Sequence, residues 1–411
     1  MPIEVGAAGG VISNPMKHLS VSRIALRDLL PSACASLGED ASIAIYTTCE
    51  AAQACWQEAR QQCQGYAFQT YEWLACWQQH LGQRQGWQVR IVVLRDGDGR
   101  IRLLLPLGIR RIVGLRRLDF LGGELTDYRA PLIASDFPTT LFGSLWTALL
   151  SLLQVDLFRS RRMPATIENI CNPFSLLPGI EANEQAHAAT LPDTYAEFQK
   201  SRSAKMFADT RRRLRNLEAI GKVRVEIDAV GAQRAEVVAT MARQKSRRWR
   251  ETQARDIFRE PGYLDFYQTL AAQGITGGSV VLSGLYVDEQ LVATHWGLRY
   301  GKRFYWLMPA YQDGDWTRYA VGRQLLDAVL KHSIATGLKI FDLTVGDESF
   351  KQQWADHTLM LYGGQHGVTR RGKMAVAVNQ RWQDLYAGLR ANTRLRNLVR
   401  RLRGRAPITA Q

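Results

Sequence analysis

Apolar positions along the chain follow two rhythms, one of the helix and one of the strand. From Thr70 to Leu81, TYEWLACWQQHLG spaces its large apolar residues three and four apart, which predicts a helix. WQVRIVVLRD and GRIRLLLPLGIRR are β-rich runs on either side of Asp96-Gly97-Asp98-Gly99 and predict a hairpin. SIAIYT, from Ser42 to Thr47, reads as a short strand, and Thr47 with Glu50 as the capping box of a helix running to about Gln62. LRRLDFLGG and APLIA add short strands, LFGSLWTALLSLL (Leu141 to Leu153) a helix and ATIENI a strand, with the last element near Leu177.

A second round starts after Pro192, where Thr194 and Glu197 form another capping box. A basic helix, SAKMFADTRRRLRNLEAIG, stops at Gly221; VRVEID is a strand, and helices follow through Arg250 and from Pro261 to Gln273. SVVLSGLYV, LVATHWGLRY and RFYWLMPAY are then three β-rich runs separated by short turns. AVGRQLLDAVLKHSIATG reads as one amphipathic helix, followed by the strand LKIFDLTV, the short helix DESFKQQWA and the strand TLMLYGG. The expectation is an α/β (α+β) fold with mixed central sheets, built twice. Residues 1–40 are expected to be a poorly ordered arm, 41–185 and 186–368 the two domains, and 369–411 a basic amphipathic tail.

Charge sharpens this picture. The chain of 411 residues carries a formal +15, and 367–411 holds eleven Lys or Arg against one acid, Asp384, a net +10. A nearly neutral body with a basic tail points to one local anionic partner, an anionic membrane surface, and away from a surface that coats nucleic acid. Trp382, Leu385, Leu389, Leu395, Leu398 and Leu402 fall at near-helical spacing in that tail, as in a helix that lies on lipid. No apolar run reaches the roughly 20 residues of a membrane-crossing helix. MPIEVGAAGGVISNPMKHLS lacks the pattern of a secretion signal. Six cysteines without a C-x-x-C pair read as reduced, buried thiols, so the expected location is cytoplasmic, peripheral on the inner face of the membrane, and no metal is expected.

Several stretches together resemble a known family. GYAFQTYEWLACW, LLLPLGIRR and LDFLGGELTDYRAPLI in the first half, and LVATHWGLRYGKRFYW, YAVGRQLLDAVL and FDLTVGDESFKQQW in the second, are similar to the GNAT-related acyltransferases associated with cellulose and exopolysaccharide biosynthesis, the CelD/BcsL type. The resemblance runs from about Ser42 to Gly364. It implies a tandem GNAT architecture, as in the peptidyl-transferring Fem-type enzymes, with acyl-CoA or acetyl-CoA as co-substrate and an amine of an envelope polysaccharide precursor or a membrane lipid as acceptor. A long-chain, sphingoid-like amine is one alternative acceptor; a catalytically silent scaffold of an exopolysaccharide machine is another reading.

For such chemistry the coenzyme A pyrophosphate belongs at the N-terminus of the helix after the three β-rich runs, where backbone N–H groups converge. Arg318, Tyr319, Val321, Gly322, Arg323 and Gln324 form that segment here. Gln324 stands where the family has Gly or Ala, and its side chain is expected to crowd the phosphates. Backbone donors for the oxyanion are expected from the run Leu291 to Tyr300. Candidates for the general base are His295, inside that run and expected to titrate near neutral pH, and Asp347 and Glu348 at the end of FDLTV. Asp342, a carboxylate inside an apolar strand, needs a partner, and Lys351 is the expected one, in a structural network with Trp354. Many GNAT enzymes protonate the leaving thiolate with a Tyr where this chain has Phe350, which leaves Ser349, Tyr362 or water for that role and the general acid unassigned.

Overall fold

The computed structural model describes residues 21–391. Its strands in chain order are β1 (Val21–Ala25), β2 (Ser42–Tyr46), β3 (Gln88–Arg95), β4 (Ile101–Ile112), β5 (Leu115–Phe120), β6 (Leu132–Ile133), β7 (Leu157–Pro164), β8 (Thr166–Ile167), β9 (Ile170–Cys171), β10 (Ile180–Thr190), β11 (Val223–Glu226), β12 (Gly278–Val287), β13 (Gln290–Tyr300), β14 (Arg303–Tyr311), β15 (Ile340–Val345) and β16 (His357–Gly367). The α-helices are α1 (Leu26–Leu29), α2 (Cys34–Leu37), α3 (Gln53–Gln62), α4 (Tyr71–Trp77), α5 (Phe142–Leu152), α6 (Tyr195–Lys200), α7 (Ala204–Glu218), α8 (Ala232–Glu251), α9 (Tyr263–Gln273), α10 (Val321–Ala335), α11 (Ser349–Trp354) and α12 (Arg370–Ala391).

Fourteen strands make one mixed sheet in the order β1-β2-β3-β4-β5-β7-β16-β10-β15-β14-β13-β12-β11, with β6 beside β4. The two halves exchange their last strands. β16, which ends the second half, pairs with β7 of the first, and β10, which ends the first, pairs with β15 of the second. A single ladder, β10 on β16, then joins the halves.

Each half contains one short parallel pairing, and each opens into a fork. β14 and β15 pair from Arg303↔Ile340 to Tyr305↔Asp342 and then part; β5 and β7 pair at Arg117↔Leu157 and Leu118↔Phe158 and then part. Beyond its fork, each outer strand bulges and carries a residue with positive φ, Thr344 (60°) in β15 and Arg162 (56°) in β7. For a β-branched Thr this is an uncommon, strained conformation, of the kind that gathers at functional sites.

The larger apolar core crosses between the halves. Trp73 on α4 packs edge-on against Phe266 of α9 (4.9 Å) and Trp296 of β13 (6.3 Å), and Phe68 lies 5.4 Å from the Tyr305 ring. The smaller core lies under α6, α7 and α10, where Trp354 stacks on Phe198 and meets Phe207 edge-on at 5.7 Å.

The helices and strands of the second half fall where the sequence pattern puts them, and Thr194 caps α6 by accepting from Glu197 N–H. Four expectations change. Residues 21–40 hold a strand and two short helices packed on the core through Leu26, Ala33 and Leu37, where a loose arm was expected. The boundary at 185/186 falls inside β10. Thr48 accepts from Ala51 N–H at the start of the helical stretch leading into α3. All six cysteines are free, but only Cys34, Cys49, Cys55 and Cys76 are buried; Cys63 is half-buried and Cys171 exposed. The expected tail begins as α12, and Leu395, Leu398 and Leu402 lie outside the described residues. No helix among the described residues is long and apolar enough to cross a membrane.

Candidate active site

The fork between β14 and β15 opens onto a cavity of about 310 Å³, lined by Trp306, Leu307 and Tyr311 on one strand, Leu343 on the other, Lys245 from α8, and Glu348, Phe350 and Lys351 from the turn into α11. A sheet opens this way when two strands stop sharing hydrogen bonds, leaving backbone N–H and C=O groups without a ladder partner on their facing edges. β13, from which oxyanion donors are expected, is an interior strand paired with β12 and β14, its register on β14 shifting between Trp296 and Leu298. The strand edge that opens into the fork is that of β14 past Tyr305.

At the base of the fork Asp342 is fully buried and has three donors: Tyr128 Oη at 2.7 Å, Arg303 Nη1 at 3.0 Å and Thr344 N–H at 2.8 Å. The expected Asp342–Lys351 pair is therefore replaced by Asp342–Arg303, with Tyr128 reaching over from the first half. Arg303 also lies over the Tyr66 ring at 5.5 Å. Burial, with the Asp342 charge beside it, pushes the Tyr128 hydroxyl well above its ordinary range, so it remains a donor. Lys351 instead donates to the carbonyls of Val345 (2.6 Å) and Thr344 (3.4 Å) and pairs with Glu348 at 2.9 Å. Gly346, at φ 127°, makes room for this: a Cβ there would run into Glu348 Oε2 and lie 2.8 Å from Lys351 Nζ. Trp354 stays structural, in the core under α6 and α7.

His295 does not line the cavity. It is fully buried, stacked on Trp306 at 3.8 Å, and neither ring nitrogen has a hydrogen-bond partner. Burial, with the Lys245 charge added, pushes its imidazole well below 6.5, so it stays neutral rather than titrating near neutral pH. Asp347 is exposed, 3.5 Å from His187 Nε2, and accepts from Gln352. Glu348, of the three base candidates, faces the cavity. Ser349 and Tyr362 do not line it; Phe350 does.

Lys245, on α8, is a cavity residue that the sequence pattern does not single out. Burial pushes its ammonium down to about 8, with Lys351 adding to the shift and Glu348 opposing it. Its position was available in the spacing: half-buried Lys245 follows the buried Val238 and Met241 at helical intervals along α8.

At the far end of β14 the chain turns through Gly314–Tyr319 into α10, with Ala320 in the left-handed region (φ 52°) just before Val321. Gly322 packs close under Tyr311: a Cβ would come 3.1 Å from its ring. Gln324 does not crowd this helix start. Its side chain turns inward and donates to the carbonyls of Thr210 (3.0 Å) and Tyr319 (3.4 Å), fixing the turn against α7. Asp209 on α7 gathers Arg212, Arg213 and Arg323 within 3.0 Å, and Arg213 also donates to the Arg318 carbonyl. Three guanidiniums against one carboxylate, beside the N-terminus of a fifteen-residue helix, leave a net positive field where an anion would sit.

Residues 204–352, from α7 through the fork to α11, match the family model of the acetyltransferase (GNAT) domain. The chain carries a GNAT-type acyltransferase domain. Around it, the whole fold is similar to the crystal structure of FemX, with a TM-score of 0.54 and 11% identity over 76% of this chain and 95% of that one. Weaker similarities are to a tandem GNAT protein from the clavulanic acid biosynthesis pathway (TM-score 0.42, 12% identity, 85% and 99% covered) and to L-PGS from Bacillus licheniformis (0.46, 13%, 79% and 96%). At 11% identity the likeness to FemX is one of fold. No curated protein sequence matches the chain. The GNAT domain thus accounts for the second fork, and the first half repeats its architecture outside the matched segment. Among the described residues no group of His, Cys, Asp and Glu has the arrangement of a metal site.

Proposed function

We propose that the chain transfers an acyl group from an acyl-CoA thioester to an amine of an envelope polysaccharide precursor or membrane lipid, by direct attack in a ternary complex. The observation that carries this reading is the β14–β15 cavity: unladdered strand edges, a lysine with a lowered pKa and a cationic helix N-terminus occur along one continuous strand-to-helix path. The pyrophosphate of the donor lies at the start of α10, on backbone N–H groups from Val321 onward and on Arg323, Arg318 and Arg213. The pantetheine arm follows β14 into the fork.

Lys245, neutral in an appreciable fraction near pH 8, takes the proton from the acceptor ammonium. The freed amine attacks the thioester carbon, and the N–C bond forms as the oxyanion takes hydrogen bonds from the β14 edge. The C–S bond then breaks as Lys351, which lines the same cavity, passes a proton to the thiolate and takes in exchange the second proton that the new amide nitrogen sheds. Glu348 holds Lys351 in place. His295 keeps Trp306 stacked as the cavity wall.

An acceptor at a membrane is supported by α12. Met374, Val378, Trp382 and Leu385 form an exposed apolar stripe at helical spacing, beside the exposed Arg370, Arg371, Lys373 and Arg381. Two measurements test the reading. Calorimetry with acetyl-CoA and palmitoyl-CoA should show saturable binding that Arg213→Gln with Arg323→Gln weakens; no heat with either donor refutes it. Lys245→Met should abolish transfer to an amine acceptor while donor binding persists, and full activity in that variant would remove Lys245 from the mechanism.

A further inference from the structure

The first half has a fork too, and its cavity has different walls. Where the GNAT fork mixes aromatic and aliphatic side chains with Lys245, Arg248, Glu348 and Lys351, the cavity between β5 and β7, about 440 Å³, is lined by six arginines: Arg110, Arg117, Arg129, Arg159, Arg161 and Arg255. Two carboxylates face them. Asp119 pairs with Arg129 at 2.9 Å and Glu124 with Arg255 at 2.8 Å, so each acid is already committed. Among the described residues, Arg110, Arg117, Arg159 and Arg161 have no carboxylate within ion-pair distance. Burial holds the guanidiniums of Arg117 and Arg161 below their ordinary pKa, with Asp119 opposing the shift at Arg117, and at Arg161 the Arg129 and Arg162 charges adding to it and Glu184 and Asp119 opposing it.

The polar groups at the floor of this cavity are also incomplete. Ser160 is buried and its hydroxyl has no partner, and the same holds for Nε of Arg129 and of Arg117. Arg129 is nonetheless fixed in place, since its two terminal nitrogens bond to both Asp119 oxygens and to the Gly123 carbonyl. A rigid buried guanidinium with an N–H left over, beside an unpartnered hydroxyl and four cations without an ion-pair partner, is an arrangement short of an anion rather than of packing. Planar guanidiniums match the paired oxygens of a phosphate, and several of them converging favour more than one phosphate unit. Arg255 and Tyr263, both from the GNAT domain, close one side by binding Glu124, so the cavity is completed by both halves.

We infer that the fork of the first half is a binding site for a diphosphate-class group, with Arg117, Arg129, Arg159 and Arg161 as its cationic walls and Ser160 at its floor. This inference stands on the first half's own cavity and does not depend on acyl transfer. The same chemistry is offered by inorganic pyrophosphate, a nucleoside diphosphate and a prenyl diphosphate, and the volume admits a diphosphate with part of whatever it is attached to.

The test is calorimetric titration of the full chain with inorganic pyrophosphate, uridine diphosphate and farnesyl diphosphate in turn. Arg159→Gln with Arg161→Gln, both at exposed positions where the fold tolerates the change, should weaken pyrophosphate binding by about tenfold or more. In the Arg213→Gln, Arg323→Gln background, which weakens the start of α10, a pyrophosphate site should persist that Arg159→Gln with Arg161→Gln then removes. Tighter binding of uridine diphosphate or of farnesyl diphosphate than of pyrophosphate supports the site and tells which attachment it accepts. Absence of binding by all three overturns the inference, as does a loss of pyrophosphate binding that follows the α10 substitutions and not those at Arg159 and Arg161.

Discussion

Replacing Asp342 with Ala removes the one carboxylate that ties both halves to the base of the GNAT fork. Three donors lose their acceptor at once: Arg303 at 3.0 Å, the Tyr128 hydroxyl at 2.7 Å and the Thr344 N–H at 2.8 Å. Arg303 would retain only the half-exposed Glu168, at 3.7 Å, as a counter-charge. Breaking a buried pair by deleting one partner costs about 3–5 kcal/mol, because the surviving charge stays desolvated. The expected result is therefore a loss of that size in urea unfolding followed by tryptophan fluorescence, with a lower midpoint and an unchanged slope. The double substitution Asp342→Leu with Arg303→Met removes both charges together and should recover most of the loss. A cost for Asp342→Ala below about 1 kcal/mol, the range of a solvent-exposed pair, would falsify the claim that this network is dry and shared by the halves.

Further expectations follow from the same geometry. Because β16 and β10 are exchanged, the wild-type chain should unfold in one transition, and a fragment ending at Leu177 should be insoluble for want of the strand that covers β7; a soluble, folded fragment would contradict this. His295, held neutral by burial, binds no proton that the unfolded chain takes up below about pH 6.5, so stability should fall there as pH drops, by about 1.4 kcal/mol per pH unit, and His295→Phe should flatten that slope in urea titrations across pH 5–6.5. Transfer should rise with pH through about 8 as Lys245 loses its proton, and a pH–rate profile without a limb there would exclude it as the base. Gly346→Ala, forced to φ 127° and against Glu348, should cost about 1–3 kcal/mol and displace Lys351, read as lower turnover and a lower melting temperature together.

The second half was legible because its patterns are dictated by burial. β12, β13 and β14 are covered on both faces, and α10 on one, so apolar runs and helical spacing there have one reading. The exchange itself was not legible. Its strands β7 and β10 read LFRSRRMP and IEANEQAHAAT, and neither shows an alternation a strand would need, since Arg159 and Arg161 face the open fork and Glu181, Glu184 and Gln185 lie on solvent-facing positions. Residues 21–40 escaped for a similar reason: their elements are four or five residues long and gain their order from tertiary contacts through a few side chains such as Leu26. In the site, Asp342 announced that it needed a partner, but spacing along the chain favoured Lys351 nine positions on. The fold chose Arg303, because the parallel pairing of β14 with β15 sets it two rungs from Asp342, on the same face of the sheet.

The two forks suggest how the halves divide their labour. Both are made by one device, a parallel pair that parts after two or three rungs and an outer strand bulged at a positive-φ residue, Thr344 in one and Arg162 in the other. What lines each fork is set by a handful of positions beyond the last rung. In β15 these are Leu343 and the strained Thr344, whose turn brings Lys351 and Glu348 to the cavity; in β7 they are Ser160 and Arg161. An apolar wall with a single lowered-pKa lysine suits a thioester and an amine, whose reaction is hindered by water and helped by a neutral base. A wall of unpaired guanidiniums suits the opposite task, holding a group that carries several charges and does not react. Tyr128 of the first half is hydrogen-bonded to Asp342 at the base of the second fork, while Arg255 and Tyr263 of the second half close the first cavity, so each fork is braced by the other half. Occupancy of the arginine fork is thereby mechanically adjacent to the elements that hold the acyl site. On this geometry a pyrophosphate-loaded protein should resist urea better than the free one, by RT ln(1 + [L]/Kd), and Arg159→Gln with Arg161→Gln should lose that gain.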